Sequence, residues 1–156
     1  MSKSAHTFGG DAELVTMSVG GAHFGVPVLS VRDVLDSPLT YPVPLAPPEI
    51  TGSINLRGRI VTAIDLRVRL GMPPRAETAK CMCVIVESES GEPYAFLVDE
   101  VGDVLMMSAK QYEPNPITLS RAWAAVTRGL YRREESLLLV LDAQAVLQIA
   151  DEQRAA

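Results

Sequence analysis

The chain has 156 residues, of which 47% are hydrophobic and 21% are charged, and its formal net charge is -5. This length and apolar content are enough for one packed domain, or for two small units that share a core, and they exclude general disorder. An acidic chain with 5% aromatic residues is poorly suited to nucleic acid, which binds basic surfaces and stacks on aromatic rings.

The first half of the chain alternates short apolar runs with turn residues, a pattern typical of small β units. Five prolines between residues 37 and 48 indicate an extended loop or an edge strand rather than a helix. Asp65 is placed to cap a short helix that Gly71 ends. In chain order, the predicted elements are a flexible tail over 1–11, strands over 12–19 and 23–28, a short mixed segment over 29–35, a hairpin of strands over 50–56 and 59–64, a helix over 66–70, and a linker over 72–79.

The second half repeats this plan with a small insertion after its own Pro-x-Pro turn. Asp142 is placed like Asp65 and predicts the cap of a final helix. The predicted elements are strands over 81–87, 93–98, 103–107, 126–131 and 136–141, a Pro-rich turn over 113–117, a helical turn over 120–125, and a helix over 143–152.

The two halves also match in detail, which indicates one structural unit used twice. Leu14-Val15-Thr16 recurs 70 residues later as Val84-Ile85-Val86, and beyond the insertion Asp65 recurs 77 residues later as Asp142. A unit of about 65 residues is marginal alone. We therefore predict a single all-β domain over 12–152 with short helices. It is built from two small barrel or sandwich units, over 12–71 and 80–147, that share an apolar interface.

The residues that usually carry catalysis or bind metal ions lack a supporting arrangement. His6 lies in the tail and His23 begins a strand, and neither has a nucleophile or a metal ligand placed beside it. Cys81 and Cys83 lie on one face of a predicted strand, where they are expected to be free, small, buried side chains. No Gly-rich phosphate loop links a strand to a helix. The sequence therefore predicts a binding protein with no cofactor, no metal and no catalytic site.

Targeting and membrane signals are also missing from the sequence. No apolar run near the start resembles a signal peptide, and no stretch reaches the length of a membrane span. We expect a cytoplasmic protein that does not insert into the bilayer.

The segment from Gly52 to Arg67 resembles the G-x-x-N-L-R-G-x-x-x-x-x-x-D-L-R signature of the CheW adaptors of bacterial chemotaxis. The resemblance continues from about Glu13 to Leu147. It implies two tandem SH3-like five-stranded β-barrels that share a hydrophobic interface. It also implies a non-enzymatic scaffold that couples the cytoplasmic tips of methyl-accepting chemoreceptors to the regulatory domain of the histidine kinase CheA. Such a protein is cytoplasmic and is recruited to membrane-associated receptor arrays.

The resemblance also implies two sets of binding residues. Receptor binding falls on Val31, Asp33, Asn55 and Arg57, and kinase binding falls on Pro114, Pro116, Ile117 and Thr118. Asp33 replaces a longer Glu that is common in relatives. Since Val31 and Arg57 are expected to be exposed, replacing either should leave the fold intact.

Two other functions remain open at this point. One is a CheW-like adaptor of a pilus-motility or other non-flagellar chemosensory pathway. The other is a small-barrel nucleic-acid-binding protein, against which the acidic charge and the three lysines argue. The highly charged segment from Tyr131 to Glu135 departs from the family's usual small-residue hairpin and bears on partner choice.

Overall fold

The computed structural model describes residues 9–36, 38–41, 50–76 and 79–148. Within these ranges eleven strands form one six-stranded and one five-stranded sheet. The strands are β1 (Ala12–Val19), β2 (Ala22–Pro27), β3 (Val31–Asp36), β4 (Ile50–Leu56), β5 (Arg59–Asp65), β6 (Met82–Glu87), β7 (Pro93–Val98), β8 (Glu100–Met107), β9 (Tyr112–Glu113), β10 (Thr127–Arg132) and β11 (Leu137–Leu141). The helices are α1 (Leu66–Arg69), α2 (Arg121–Val126) and α3 (residues 143–148).

The predicted all-β class is confirmed, since strands in two sheets dominate and the architecture is consistent with two SH3-like barrels. Two segments differ from their prediction. The mixed segment after β2 is one turn of 3-10 helix, Val28–Ser30, followed directly by strand β3. Strand β8 begins at Glu100 rather than at Asp103, because pairing with β1 extends through a bulge to the start of the segment.

Both sheets cross the boundary between the two sequence repeats. The six-stranded order is β8-β1-β2-β11-β10-β9 and the five-stranded order is β3-β6-β7-β5-β4. Each repeat therefore lends its first hairpin to the other repeat's sheet, through the parallel pairs β2–β11 and β5–β7. The prediction that residues 12–71 and 80–147 each form their own barrel is wrong. The exchange is favourable because it gives both edges of each apolar hairpin a hydrogen-bonded neighbour.

Three apolar cores follow from these sheets. A small core fills the interior of each sheet, and the largest lies between the sheets. Strand β7 shows how this is arranged: Ala95 and Leu97 face the interior of the five-stranded sheet, while Tyr94, Phe96 and Val98 face the core between the sheets. Both faces of the strand are buried, so its sequence is a continuous apolar run. We call this largest cluster the inter-sheet core; it is the shared apolar interface that the repeat predicts.

The helix caps lie where the sequence predicts them. A carboxylate oxygen of Asp65 accepts a hydrogen bond from the backbone N–H of Arg67 at 3.0 Å. Asp142 accepts one from the N–H of Ala145 at 3.2 Å, and Ser120 caps α2 in the insertion. The predicted last four residues of the final helix, 149–152, lie outside the described residues.

The last residues of the predicted flexible tail, 9–11, are held by hydrogen bonds. The carbonyl of Gly10 accepts a hydrogen bond from the Tyr131 hydroxyl, and Asp11 accepts one from the N–H of Ala109. These contacts fix residues 9–11 to the six-stranded sheet, while residues 1–8 lie outside the described part. Both cysteines are free, as predicted, but only Cys83 is buried and Cys81 is half-buried. Burial raises the pKa of the Cys83 thiol to about 11.

Candidate functional site

The structure brings two of the predicted receptor-binding residues into contact. A guanidinium nitrogen of Arg57 lies 2.9 Å from a carboxylate oxygen of Asp33. Asp33 belongs to β3 and Arg57 to the turn that follows β4, and these strands are the two outer edges of the five-stranded sheet. The ion pair therefore shows that the sheet curls until its edges approach, as closure into a barrel requires.

The local sequence explains how Arg57 reaches this position. Arg57 and Gly58 form the two-residue turn between β4 and β5, and both have positive φ, 52° and 86°. Positive φ at both turn residues is the geometry that matches the twist of a two-residue hairpin. The side-chain oxygen of Asn55 accepts a hydrogen bond from the N–H of Gly58 at 2.9 Å. Asn55 therefore supports the turn that presents Arg57.

The two members of the ion pair differ in exposure. The side chain of Arg57 is 80% exposed, whereas that of Asp33 is 25% exposed. One Asp33 oxygen accepts the N–H of Val34, and the other is buried against Arg57 without a well-directed hydrogen bond. A largely exposed pair of this kind contributes about 0–1 kcal/mol. The pair therefore adds little to stability and leaves most of the guanidinium open to a partner's carboxylate.

Val31 does not lie on the surface as expected. Strand β3 has a bulge between Val31 and Asp33, and Val31 lies opposite Val86, a fully buried residue of the inter-sheet core. Directly opposed residues share one face of a sheet, so the half-buried Val31 packs against that core. The prediction that Val31 is exposed is wrong, because the bulge turns its side chain towards the neighbouring sheet.

A cleft that the sequence does not indicate lies beside the start of β3. Its volume is about 260 Å³, and its lining includes Leu29, Arg32, Glu87 and Gln144. Leu29 is 89% exposed, and Arg32 forms an ion pair with Glu87. No sequence pattern indicates this cleft, because its lining residues come from a 3-10 turn, two strands and a helix that only the tertiary fold brings together.

The four predicted kinase-binding residues, Pro114, Pro116, Ile117 and Thr118, are all exposed in the loop that follows β9. Asn115 fixes this loop to β10: its side-chain oxygen accepts the N–H of Gly129 at 2.8 Å, and its amide donates to the carbonyl of Thr127 at 3.1 Å. The loop belongs to the six-stranded sheet and the Asp33–Arg57 pair to the five-stranded sheet. The two predicted sets therefore occupy different sheets.

Sequence reasoning missed a cluster of four half-buried or buried charges, which we call the linker clamp: Asp65, Arg67, Arg75 and Asp99. Arg67 and Arg75 both donate to the carboxylate of Asp99, and Arg75 also donates to Asp65. Burial alone would raise the pKa of Asp99, but hydrogen bonds from Arg67, the Gly20 N–H and Arg75 outweigh it and lower this pKa to about 2. The Asp-Leu-Arg end of the signature therefore has a structural role, whereas Asp99 and Arg75 lie outside the signature.

Across the described ranges, no group of three or more His, Cys, Asp or Glu side chains is arranged to hold a metal ion. In the same part of the chain, no helix has both the length and the hydropathy needed to cross a bilayer.

Comparison with known proteins gives consistent matches along most of the chain. A family model described as "CheW-like domain" matches residues 13–151. The probable chemotaxis protein CheW of Rhizobium etli is 30% identical over 146 residues, covering 94% of each chain. The chemotaxis protein CheW of Bacillus subtilis is 29% identical over 143 residues, covering 92% of this chain and 91% of that protein. The crystal structure of the scaffolding protein TtCheW from Thermoanaerobacter tengcongensis superposes with a TM-score of 0.74 at 26% identity, covering 84% and 88% of the two chains.

Proposed function

The chain belongs to the CheW family, and from this premise we propose that it is a non-catalytic adaptor that couples chemoreceptors to the histidine kinase CheA in bacterial chemotaxis. We place it in the cytoplasm, at membrane-associated receptor arrays. The similar proteins are named chemotaxis proteins and a scaffolding protein, so neither the nucleic-acid-binding alternative nor a separate chemosensory pathway is favoured.

The observation that carries the proposal is the Asp33–Arg57 pair at the curled edge of the five-stranded sheet. A helical receptor tip with a carboxylate beside an apolar face would bind the exposed guanidinium. Asn55 holds the turn that aims Arg57. Val31 is half-buried against the inter-sheet core, and in the proposed site it supports β3 from beneath.

The proposed kinase contact is separate from the receptor contact. The exposed loop of Pro114, Pro116, Ile117 and Thr118 projects from the six-stranded sheet, and Ile117 is a fully exposed apolar side chain. An exposed apolar anchor held on a fixed loop suits a protein partner. Two contacts on two sheets would allow receptor and kinase to bind at the same time, as coupling requires.

The test is co-sedimentation of the purified protein with a receptor cytoplasmic fragment and CheA. We expect wild type to form a ternary complex, and Arg57→Asp to lose receptor binding by about tenfold or more while still binding the kinase. The matched control is Lys110→Asp, which reverses an exposed charge in the 3-10 turn before β9, outside both predicted sets of binding residues. Its receptor binding should equal that of wild type.

The possible outcomes separate the role from the site. A ternary complex that is indifferent to Arg57→Asp would keep the adaptor role and reject the Asp33–Arg57 site. If wild type binds neither receptor fragment nor CheA, the adaptor role itself is rejected. Unfolding of Arg57→Asp in circular dichroism would contradict the argument that this exposed pair adds little stability.

A further inference from the structure

The loop over residues 114–119, which we call the Pro114 loop, begins where backbone pairing with the six-stranded sheet stops. Strand β9 pairs with β10 through Tyr112 and Glu113. Pro114 and Pro116 follow, and a proline has no N–H to donate to a neighbouring strand. Backbone hydrogen bonds therefore cannot continue the β9–β10 ladder regularly through these two positions.

The side chain of Asn115 takes over the attachment to β10. Its oxygen accepts the N–H of Gly129 at 2.8 Å, and its amide nitrogen donates to the carbonyl of Thr127 at 3.1 Å. A carboxamide carries both an acceptor and donors, as a peptide group does, so it can serve as a strand partner where the backbone cannot. The first repeat has Val43 between its two prolines, and the side chain of valine forms no hydrogen bonds. The carboxamide is therefore particular to the second repeat.

A tight turn at the centre of the Pro114 loop displays one apolar side chain. The N–H of Leu119 donates to the carbonyl of Pro116 at 3.1 Å, which makes Ile117 and Thr118 the central residues of the turn. Ile117 is fully exposed. The hydrogen bonds on either side of this residue thus fix the direction in which it projects from the protein.

Helix α2 holds the other end of the loop. Ser120 caps the helix, and the indole N–H of Trp123 donates to the carbonyl of Leu70 at 3.0 Å. Trp123 also packs against the inter-sheet core, so replacing it would disturb the fold. Asn115 is half-buried and holds the loop through hydrogen bonds. It is therefore the attachment that can be removed to free the turn while the core stays intact.

We propose that Asn115 is a positioning residue for the kinase contact, and that its carboxamide holds the turn of Ile117 in the conformation that the CheA regulatory domain binds. This inference rests on the proposed function. A loop that already has its bound conformation loses less conformational entropy on binding, so its affinity is higher without any new contact. When the loop is released, the apparent Kd rises by the inverse of the fraction that remains competent to bind. Asn115 acts through Ile117 and does not itself touch the partner.

The test is isothermal titration calorimetry of the CheA regulatory domain with the full chain. We expect Asn115→Ala to lower the affinity by about tenfold, which corresponds to a competent fraction of about one tenth. In an Ile117→Ala background the same change should lower affinity by less than about twofold, because the side chain that Asn115 positions is gone. The matched control is Gln144→Ala, which removes another half-buried amide, one that donates to the carbonyl of Glu87 at 3.1 Å. It should bind like wild type.

Hydrogen exchange separates positioning from general stability. The amide of Gly129 should exchange faster in Asn115→Ala than in wild type, because it loses its acceptor, whereas the amides of β6 and β7 should not change. A purely structural role for Asn115 would lower the melting temperature and leave kinase affinity unchanged, which would overturn the inference. Equal losses of affinity with and without the Ile117 side chain would also overturn it.

The inference and the proposed function fail in different ways. If Ile117→Ala and Asn115→Ala both bind the regulatory domain like wild type, the Pro114 loop is not the kinase contact and the adaptor role stands. If wild type does not bind the regulatory domain, the kinase role is rejected and the inference with it. If Asn115→Ala does not fold, Asn115→Asp replaces it, since aspartate keeps an oxygen for Gly129 but has no donor for Thr127. Its affinity should fall severalfold, and wild-type affinity would overturn the inference.

Discussion

Replacing Asp99 with asparagine tests how strongly the linker clamp holds the two repeats together. The carboxylate of Asp99 accepts from Arg67 and Arg75 and from the backbone N–H of Gly20. These contacts join α1, the linker and the β1–β2 turn to the end of β7. Asparagine keeps the size of the side chain and removes its charge, so the change reports on the ion pairs rather than on packing.

The expected magnitude follows from the shifted pKa. The pKa of Asp99 falls from 3.8 to about 2, although burial alone would raise it, because the hydrogen bonds from Arg67, the Gly20 N–H and Arg75 outweigh burial. One unit corresponds to about 1.4 kcal/mol, so ionised Asp99 contributes about 2 kcal/mol to the free energy of unfolding at neutral pH. The native pKa is depressed, so this stabilisation is present above the unfolded-state value of 3.8. It is lost as pH falls towards 2.

The assay is urea unfolding of wild type and Asp99→Asn at a series of pH values. Fluorescence of Trp123 reports unfolding, because this single tryptophan is half-buried beside Phe24 and its indole N–H donates to the carbonyl of Leu70. We expect the free energy of unfolding of Asp99→Asn to be about 2 kcal/mol lower than that of wild type at pH 7. This difference should shrink between about pH 4 and pH 2. Asp103→Asn, an exposed change on β8, is the control and should match wild type. A difference at pH 7 below about 0.5 kcal/mol, or one that stays constant down to pH 2, would refute the reasoning.

Three other predictions follow from burial and topology. Val31→Asp should lower the free energy of unfolding by about 1–3 kcal/mol in urea titration, because it places a carboxylate against the inter-sheet core. Val31→Ala should lower it by less. Equal stability of Val31→Asp and wild type would argue against the packing described. Ile117→Asp should weaken binding of the CheA regulatory domain in calorimetry while the thermal melt stays unchanged, since this side chain is fully exposed; unchanged kinase affinity would move the kinase contact elsewhere. Fragments 1–78 and 79–156 should each give poorly dispersed NMR spectra, because each sheet takes strands from both fragments. Mixing the two fragments should restore the dispersion. A well-dispersed spectrum from either fragment alone would contradict the exchanged topology.

Local sequence determined the elements of this fold. Apolar runs of strand length, hairpin turns at Arg57-Gly58 and aspartate caps at Asp65 and Asp142 depend on residues close together in the chain, and the structure places each of them as predicted. The repeat of a unit too small to be stable alone also indicated a shared core. The family resemblance implied Arg57 and Asp33 as receptor-binding residues, and the structure places the two side chains in contact.

Only the tertiary structure decided which strands share a sheet. The two repeats have nearly the same pattern, so a hairpin such as β1–β2 carries no local signal for pairing within its own repeat or with the other. Long-range pairing of β2 with β11 and of β5 with β7 settles this, and with it the burial of Val31 and the position of Arg75 in the linker clamp. These features depend on contacts between residues far apart in the chain. The entropic cost of closing such long loops is offset by the summed burial of the inter-sheet core, not by the conformational preference of any one residue.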